Sequence, residues 1–192
     1  MAALGGIFAG IIGVIIVLII VLLIAVMTMY NGLVKARLNC EEAFSTMDVY
    51  MKKRFDLIPN LVETVKGYAK HEAETLIKVT AVRNAGHSLM DMQSMAENEK
   101  QAAGAIQQIF ALSEQYPDLK ANNNFQELMA QMRKIEEDIA QSRKYYNAVV
   151  KQYNTKIQSV PSNLIAGMFR FDKKEMFEVE DAAERKNVKI SF

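Results

Sequence analysis

The apolar residues of this chain follow two different patterns. Residues 2–29 form one run rich in Ile, Val, Leu and Gly, and Met1 to Val34 contains no Asp, Glu, Lys or Arg. Beyond Tyr30, apolar residues recur every three or four positions, which is the spacing of a helix that turns one face to a core. The two patterns predict a membrane anchor over residues 1–30, followed by a helical domain that faces water.

The apolar run is long enough to cross a membrane. As a helix rising about 1.5 Å per residue it measures about 42 Å, against about 30 Å of hydrocarbon. A cleaved signal peptide fits less well, because no basic residue precedes the run and the run is about twice the usual length. Lys35 and Arg37 follow closely, so the positive-inside rule favours an outside N-terminus and a cytoplasmic domain. The rule rests on two charges here, and the opposite topology stays open.

Small residues repeat at helical spacing inside the anchor, at Ala2, Gly6, Gly10 and Gly13. Such a stripe lets two helix backbones approach closely, so it is a candidate surface for helix packing between copies of the chain. Similar stripes occur in membrane helices that never associate. Self-association is therefore a hypothesis.

The rest of the chain divides into amphipathic segments of comparable length, over residues 30–55, 57–84, 89–115 and 125–159. Four such segments with short connections predict an all-α fold, an antiparallel up-and-down four-helix bundle that occupies residues 31–160. The tail, residues 161–192, is expected to contain a short helix near 174–185.

The boundary between the first two segments is ambiguous. The apolar stripe passes straight across Pro59, although a proline inside a helix lacks a donor and clashes with the preceding turn. Either one long helix bends there, or a helix ends near Arg54 and another begins at Asp56; the matched segment lengths favour the break. Further along, Asn124 and Glu127 have the spacing of a capping box at the start of the last helix.

The composition argues against several kinds of chemistry. The 192 residues include 23 Lys and Arg and 22 Asp and Glu, a net charge of +1 that gives no reason to expect nucleic acid as a partner. His71 and His87 lack the Glu three residues earlier that di-iron bundles use, and with one cysteine they cannot form a conventional zinc site. We therefore predict no catalytic residue, no metal and no cofactor. The expected partners are membrane lipid, further copies of the chain and a protein partner.

Two sets of polar residues stand out. The first is a dense cluster along the second segment and is a candidate partner or subunit interface, although a solvated helix face is the plainer interpretation. It consists of Arg54, Asp56, Asn60, Glu63, Lys66, Tyr68, His71 and Glu72. The second set, Tyr146, Asn147, Tyr153 and Asn154, repeats after seven residues and so lies on one helix face. Buried Tyr and Asn side chains need hydrogen-bond partners, which an inter-helix polar ladder would supply.

Several runs of residues resemble the LemA family of bacterial membrane proteins. The most specific run is the block from Lys53 to Glu72, and shorter ones are Tyr30 to Val34, Tyr116 to Lys120, Arg143 to Asn147 and Pro161 to Asn163. The resemblance implies a four-helix bundle on an N-terminal anchor, a bacterial source and no established enzymatic activity, and it brings no catalytic residues. Some relatives are lipoproteins with the domain outside the inner membrane, but this chain lacks their cysteine. Branches of the family are tied to membrane organisation.

The leading functional hypothesis is a non-enzymatic scaffold of the bacterial inner membrane that self-associates and takes part in membrane organisation. The alternative is a monomeric, membrane-anchored adaptor that recruits a protein partner through its polar helix face.

Overall fold

The computed structural model of this chain describes residues 2–68 and 92–177, with side chains from residue 10 to 68 and from 94 to 177. Helices form nearly all of these residues, and the described ranges contain no strand. The helices are α1 (Ala2–Lys66), α2 (Met92–Gln115), α3 (Pro117–Lys120), α4 (Asn123–Gln158) and α5 (Ser162–Met168). The predicted all-α fold with an N-terminal apolar helix is confirmed.

The helix α1 continues without interruption through Pro59 to Lys66, so the expected break between Arg54 and Asp56 is wrong. A proline inside a helix costs about 3 kcal/mol. Burial of each large apolar side chain contributes about 1.5–3 kcal/mol, and several on both sides of the proline belong to one core. These residues are Phe55, Ile58, Leu61, Val62 and Val65. The continuous stripe therefore outweighs the missing backbone hydrogen bond.

The first half of α1 is apolar on every side. An 18-residue window of this helix has a mean hydropathy of 3.5, so it is long and apolar enough to cross a membrane. The large side chains from Ile11 to Ile24 are all exposed. Exposure of so many apolar side chains is unfavourable in water but favourable in lipid hydrocarbon. The exposed surface therefore agrees with a transmembrane segment.

The chain forms two compact units, each built from stretches distant in sequence. The first unit contains Met1–Glu42 and Ala148–Lys174, and the second contains Ala43–Asn147 and Glu175–Phe192. In the second unit α1 and α4 run antiparallel, because contacts pair Phe44 with Tyr146 and, further along α1, Arg54 with Glu136. Contacts of Glu99 with Arg143 and of Phe110 with Arg133 make α2 and α4 antiparallel as well.

The core of the second unit lies where α1, α2 and the first turns of α4 meet. Its fully buried apolar members include Ile58, Leu61, Ala102, Ile109, Leu119 and Met132. The one-turn helix α3 contributes Leu119 between the two long helices that it connects. This packing is that of an amphipathic helical bundle.

The start of α4 corrects one sequence expectation. The backbone N–H of Phe125 donates to Oδ1 of Asn122 at 3.0 Å, so Asn122 is the N-cap. The capping box predicted for Asn124 and Glu127 is wrong by two residues. Three consecutive asparagines can each cap a helix, and the sequence does not say which one the preceding turn brings into position.

The tail contains a helix, but earlier than predicted. The helix α5 begins directly after Pro161, whereas Phe171–Phe177 is not helical. The helix expected near residues 174–185 is therefore absent from 174–177, and the remainder of that range lies outside the described residues.

Candidate functional site

Arg54 lies inside the second unit rather than on its surface. Its side chain is 0% exposed; Nη2 donates to Oε2 of Glu99 at 2.6 Å, and Nη1 donates to Oε1 of Glu136 at 3.3 Å. Arg143 donates to the other oxygen of Glu99. We call these four residues the buried charge cluster. Arg54 is therefore not part of an exposed interface, which corrects the sequence prediction.

The position of each charge in its helix explains the cluster. Arg54 follows the buried Met51 by three residues and precedes Ile58 by four, so it occupies the inward face of α1. Glu99 has the same place in α2, four residues after the buried Met95. Two arginines and two glutamates balance in charge, and burial of charged groups is tolerated only when they are paired.

The buried charge cluster has no unpaired charge with which to bind a substrate, because its arginines and glutamates pair with one another. Within residues 2–68 and 92–177, no group of three or more His, Cys, Asp or Glu side chains is arranged to hold a metal ion. The geometry of these residues is that of a structural centre that fixes α1, α2 and α4 in register.

The remaining members of the predicted interface are exposed where the structure describes them. Asp56 pairs with Lys52 at 3.0 Å, and Lys66 pairs with Glu63 at 2.6 Å, both on the surface. Exposed pairs of this kind contribute about 0–1 kcal/mol each. Asn60 is also exposed.

Tyr68 lies at the end of this face and is 40% exposed. Its hydroxyl accepts a hydrogen bond from Nδ2 of Asn122 at 2.8 Å. His71 and Glu72, the last two residues of the predicted interface, lie outside the described residues. The available surface is therefore Asp56, Asn60, Glu63, Lys66 and Tyr68.

The hydroxyl and amide groups of the second polar set form hydrogen bonds with the backbone of the tail. In the second unit, Tyr146 donates to the carbonyl of Glu175 at 2.9 Å, and Asn147 donates to the carbonyl of Phe177 at 2.9 Å. The N–H of Phe177 returns a hydrogen bond to Oδ1 of Asn147 at 2.8 Å. One amide side chain thus satisfies both polar groups of one tail residue.

The first unit repeats this arrangement. Tyr153 donates to the carbonyl of Asp172 at 2.9 Å, and Asn154 donates to the carbonyl of Lys174 at 2.8 Å. The N–H of Lys174 donates to Oδ1 of Asn154 at 3.0 Å. We call Tyr146, Asn147, Tyr153 and Asn154 the tail clamp. The sequence led us to expect partners on other helices for these four residues, and the structure adds partners on the tail backbone.

The glycine stripe is open where its surroundings are described. A Cβ atom added at Gly10 or Gly13 would meet nothing within 4 Å. Ala2 and Gly6 also belong to α1, but their surroundings lie outside the described side chains. The fold of one chain does not use Gly10 or Gly13 for packing.

Two titratable groups of the first unit are buried. Burial raises the pKa of the Cys40 thiol above its ordinary value of 9.0, an effect that Lys174 reduces and Glu41 reinforces. Burial likewise raises the pKa of the Tyr153 phenol above 10.0, with Arg37 opposing the shift. Both groups stay neutral at physiological pH, so neither is a ready nucleophile or base.

Comparison with known proteins shows the family to which this chain belongs. The model of the LemA family matches residues 43–192. The chain belongs to the LemA family. The matched region contains the buried charge cluster, the tail clamp and the exposed polar face, whereas the transmembrane segment precedes it.

The matches to individual relatives cover only part of each relative's length. The LemA protein of Metamycoplasma hominis is 26% identical over 137 residues, which are 71% of this chain and 63% of that protein. The magnetosome proteins MamQ 1 and MamQ 2 of Paramagnetospirillum magneticum are each 30% identical over 80 residues, 42% of this chain and 29% of theirs. This chain therefore spans less than two thirds of the curated relatives it matches.

Proposed function

We propose that this LemA family protein is a non-enzymatic scaffold of the bacterial inner membrane that self-associates through its transmembrane segment and takes part in membrane organisation. The observation that carries the proposal is the open stripe at Gly10 and Gly13, on a helix whose apolar side chains are exposed all round. Small residues on a lipid-facing helix permit close backbone contact, which is the usual basis of helix association in membranes.

The use of the polar residues supports a role without catalysis. The charges most strongly withdrawn from water, in the buried charge cluster, neutralise one another, and the tail clamp satisfies backbone groups. An enzyme would instead hold a reactive group open to a substrate, with a second polar group to activate it. Tethering in a membrane also raises the effective concentration of the helical domains, so weak lateral contacts would suffice.

Site-directed crosslinking tests the self-association. We place a single cysteine at the stripe (Gly10→Cys) or, as a matched control, on the opposite face (Ile15→Cys), where five residues turn the helix by about 500°. Cys40 is 0% exposed and contributes no crosslink. In bacterial membranes, oxidation should give dimers at Gly10→Cys and few at Ile15→Cys. Equal yields at both positions, or monomers only, would refute association through the stripe.

The alternative, a monomeric adaptor, would use the exposed face formed by Asp56, Asn60, Glu63, Lys66 and Tyr68. A test of this face leaves Arg54 unchanged, because its replacement would disturb the buried charge cluster. Capture of one defined partner by the wild type, lost on Asn60→Ala with Glu63→Ala while thermal stability is kept, would favour the adaptor. Unchanged capture would leave this face as a solvated surface.

The topology we propose has the N-terminus outside and the helical domain in the cytoplasm. It rests on the basic residues that follow the transmembrane segment, Lys35 and Arg37. A green fluorescent protein fused at the C-terminus should fluoresce, and alkaline phosphatase at the same place should be inactive. The reverse pattern would overturn the topology without affecting self-association.

A further inference from the structure

The short helix α5 is apolar on both faces. Ile165 and Ala166 are buried, yet the side chains that point outward are also apolar and strongly exposed: Val160 80%, Leu164 68%, Met168 72% and Phe169 48%. Leu164 and Met168 are four residues apart and so share one face of the helix. We call these four exposed residues the α5 patch. Water is a poor environment for such a concentration of apolar side chains.

The α5 patch lies at the level where α1 leaves the apolar segment. The ring of Phe169 contacts the ring of Tyr30 at 4.8 Å between centroids, and Tyr30 directly follows the apolar run. The side chains of α1 are exposed from residue 10 to residue 24, then partly buried at Ala25, Val26 and Met29. Nζ of Lys156, near the end of α4, reaches the carbonyl of Gly32 at 2.9 Å. The first unit therefore places α5 beside the last turns of the transmembrane segment.

The first unit is basic, and two of its lysines lie close to this level of the molecule. The first unit carries seven Lys and Arg residues against three Asp and Glu, a net charge of +4, while the rest of the chain has −3. Lys35 and Lys156 line a groove of about 240 Å³ beside Gly32. Each basic residue near an anionic membrane surface adds about 1 kcal/mol of attraction.

We propose that the α5 patch is a second membrane contact, inserted into the headgroup region of the anionic leaflet of the bilayer that α1 crosses. An apolar surface flanked by basic residues is the composition of elements that lie in the membrane interface, where apolar side chains reach about 5–10 Å into the headgroup–acyl boundary. Tyr30 and Phe169 would occupy the aromatic level of that interface. The contact would fix the depth and orientation of the first unit, whether or not the chain self-associates.

Fluorescence of labelled full-length protein in lipid nanodiscs tests this contact. Single cysteines at two exposed positions of the patch, Leu164→Cys and Met168→Cys, are labelled with an environment-sensitive dye. Tyr145→Cys is the matched control, because Tyr145 is an exposed ring (56%) in the second unit. Phe169 is left in place, since it contacts Tyr30. If either labelled variant fails to fold, Val160→Cys probes the same patch from outside α5.

The expected result is a blue shift of dye emission at Leu164→Cys and Met168→Cys, quenched by lipids that carry a spin label near the headgroup. The Tyr145→Cys dye should keep its emission in water. Exchange of phosphatidylglycerol for phosphatidylcholine should weaken both effects at the patch; equal effects in both lipids would overturn the preference for an anionic leaflet. Emission at the patch equal to that of the control would overturn the contact. A blue shift without lipid quenching that grows with the protein-to-lipid ratio would overturn it in favour of a second copy of the chain.

Discussion

Glu99 accepts hydrogen bonds from two arginines that belong to different helices. Its side chain is 6% exposed, and Arg54, which it neutralises, is 0% exposed. A buried guanidinium without a counter-charge costs several kcal/mol, because the interior cannot replace the water that it has lost. The packing of α1, α2 and α4 therefore depends on the few ion pairs of this cluster.

Replacement of Glu99 should reveal this dependence. Glu99→Gln removes the charge shared by Arg54 and Arg143 and should lower the free energy of unfolding by about 3 kcal/mol, with Glu136 still partly compensating Arg54. Glu97→Gln is the control, because Glu97 is exposed and accepts a hydrogen bond from its helix neighbour Gln101 at 3.2 Å; it should change stability by less than about 0.5 kcal/mol. Denaturant titration monitored by circular dichroism measures both. Equal losses for the two variants would contradict the role of the cluster.

The buried thiol of Cys40 and phenol of Tyr153 lead us to predict that the first unit loses stability at alkaline pH. The pKa values of Cys40 and Tyr153 are raised in the fold above 9.0 and 10.0. Each group favours the folded state fully below its unfolded pKa, and the benefit is lost as pH rises toward the folded pKa. The free energy of unfolding should therefore fall above about pH 9, by at most about 1.4 kcal/mol per pH unit for each group, and the melting temperature should fall with it. In Cys40→Ala the fall should begin nearer pH 10; an unchanged profile would contradict this assignment.

A charge on an apolar stripe was the sequence signal for the buried cluster. Glu99 continues the spacing of Met95, Ala102 and Ile106, and Arg143 falls between Ile139 and Tyr146. The sequence alone placed Arg54 on the polar side, because Asp56 and Asn60 beside it are polar. Which of several neighbouring charges turns inward depends on whether an opposite charge faces it from another helix, and that pairing is not visible in one helix.

At the scale of whole elements, apolar periodicity predicted the helices well and their interruptions poorly. The C-terminal ends of α2 and α4 lie within a residue of their expected positions, at Gln115 and Gln158. The break near Pro59 did not occur, because a local rule about proline competed with burial on both sides of it. The helix α5 was missed, since seven residues hold too few turns to show a period.

The continuity of α1 leads to a prediction at Pro59. Pro59→Ala supplies an N–H that can donate to the carbonyl of Phe55, and it should raise the free energy of unfolding by about 2 kcal/mol. This is the helix-interior penalty of proline, about 3 kcal/mol, less about 1 kcal/mol of unfolded-chain entropy. Gly104→Ala offers a comparison within α2, where an added Cβ meets nothing within 4 Å. It should stabilise by about 0.5–1 kcal/mol.

Thermal unfolding of the two variants tests these values. A lower melting temperature for Pro59→Ala, with the expected rise for Gly104→Ala, would mean that α1 has adapted its backbone to the proline. In that case the proline stabilises α1 at this point, and our explanation of its continuity would be wrong.

At the scale of the molecule, each unit joins part of the tail to helices that lie far from it in the sequence. In the first unit Gly32 contacts Lys156, and Glu41 contacts Lys174 at 3.4 Å. In the second unit Phe177 is buried, and the guanidinium of Arg143 lies 5.3 Å from the centre of its ring. The sequence identified the residues of the tail clamp by their seven-residue repeat. It could not identify their partners, because a non-helical segment bound through its backbone leaves no pattern in its side chains.

The tail clamp gives a prediction that separates the two units. Asn147→Asp and Asn154→Asp each keep the acceptor for the tail N–H but replace the donor by a carboxylate oxygen facing a carbonyl. Each should cost about 1–3 kcal/mol, since a bonded polar group loses its partner. Hydrogen exchange should become faster at the amide of Phe177 in the first variant and of Lys174 in the second. Asn124→Asp is the control: it lies exposed in the first turn of α4, where a negative charge is favourable, so both amides should exchange as in the wild type. If neither clamp variant accelerates exchange, the tail is held by its buried rings, Phe171 and Phe177, and the asparagines contribute little.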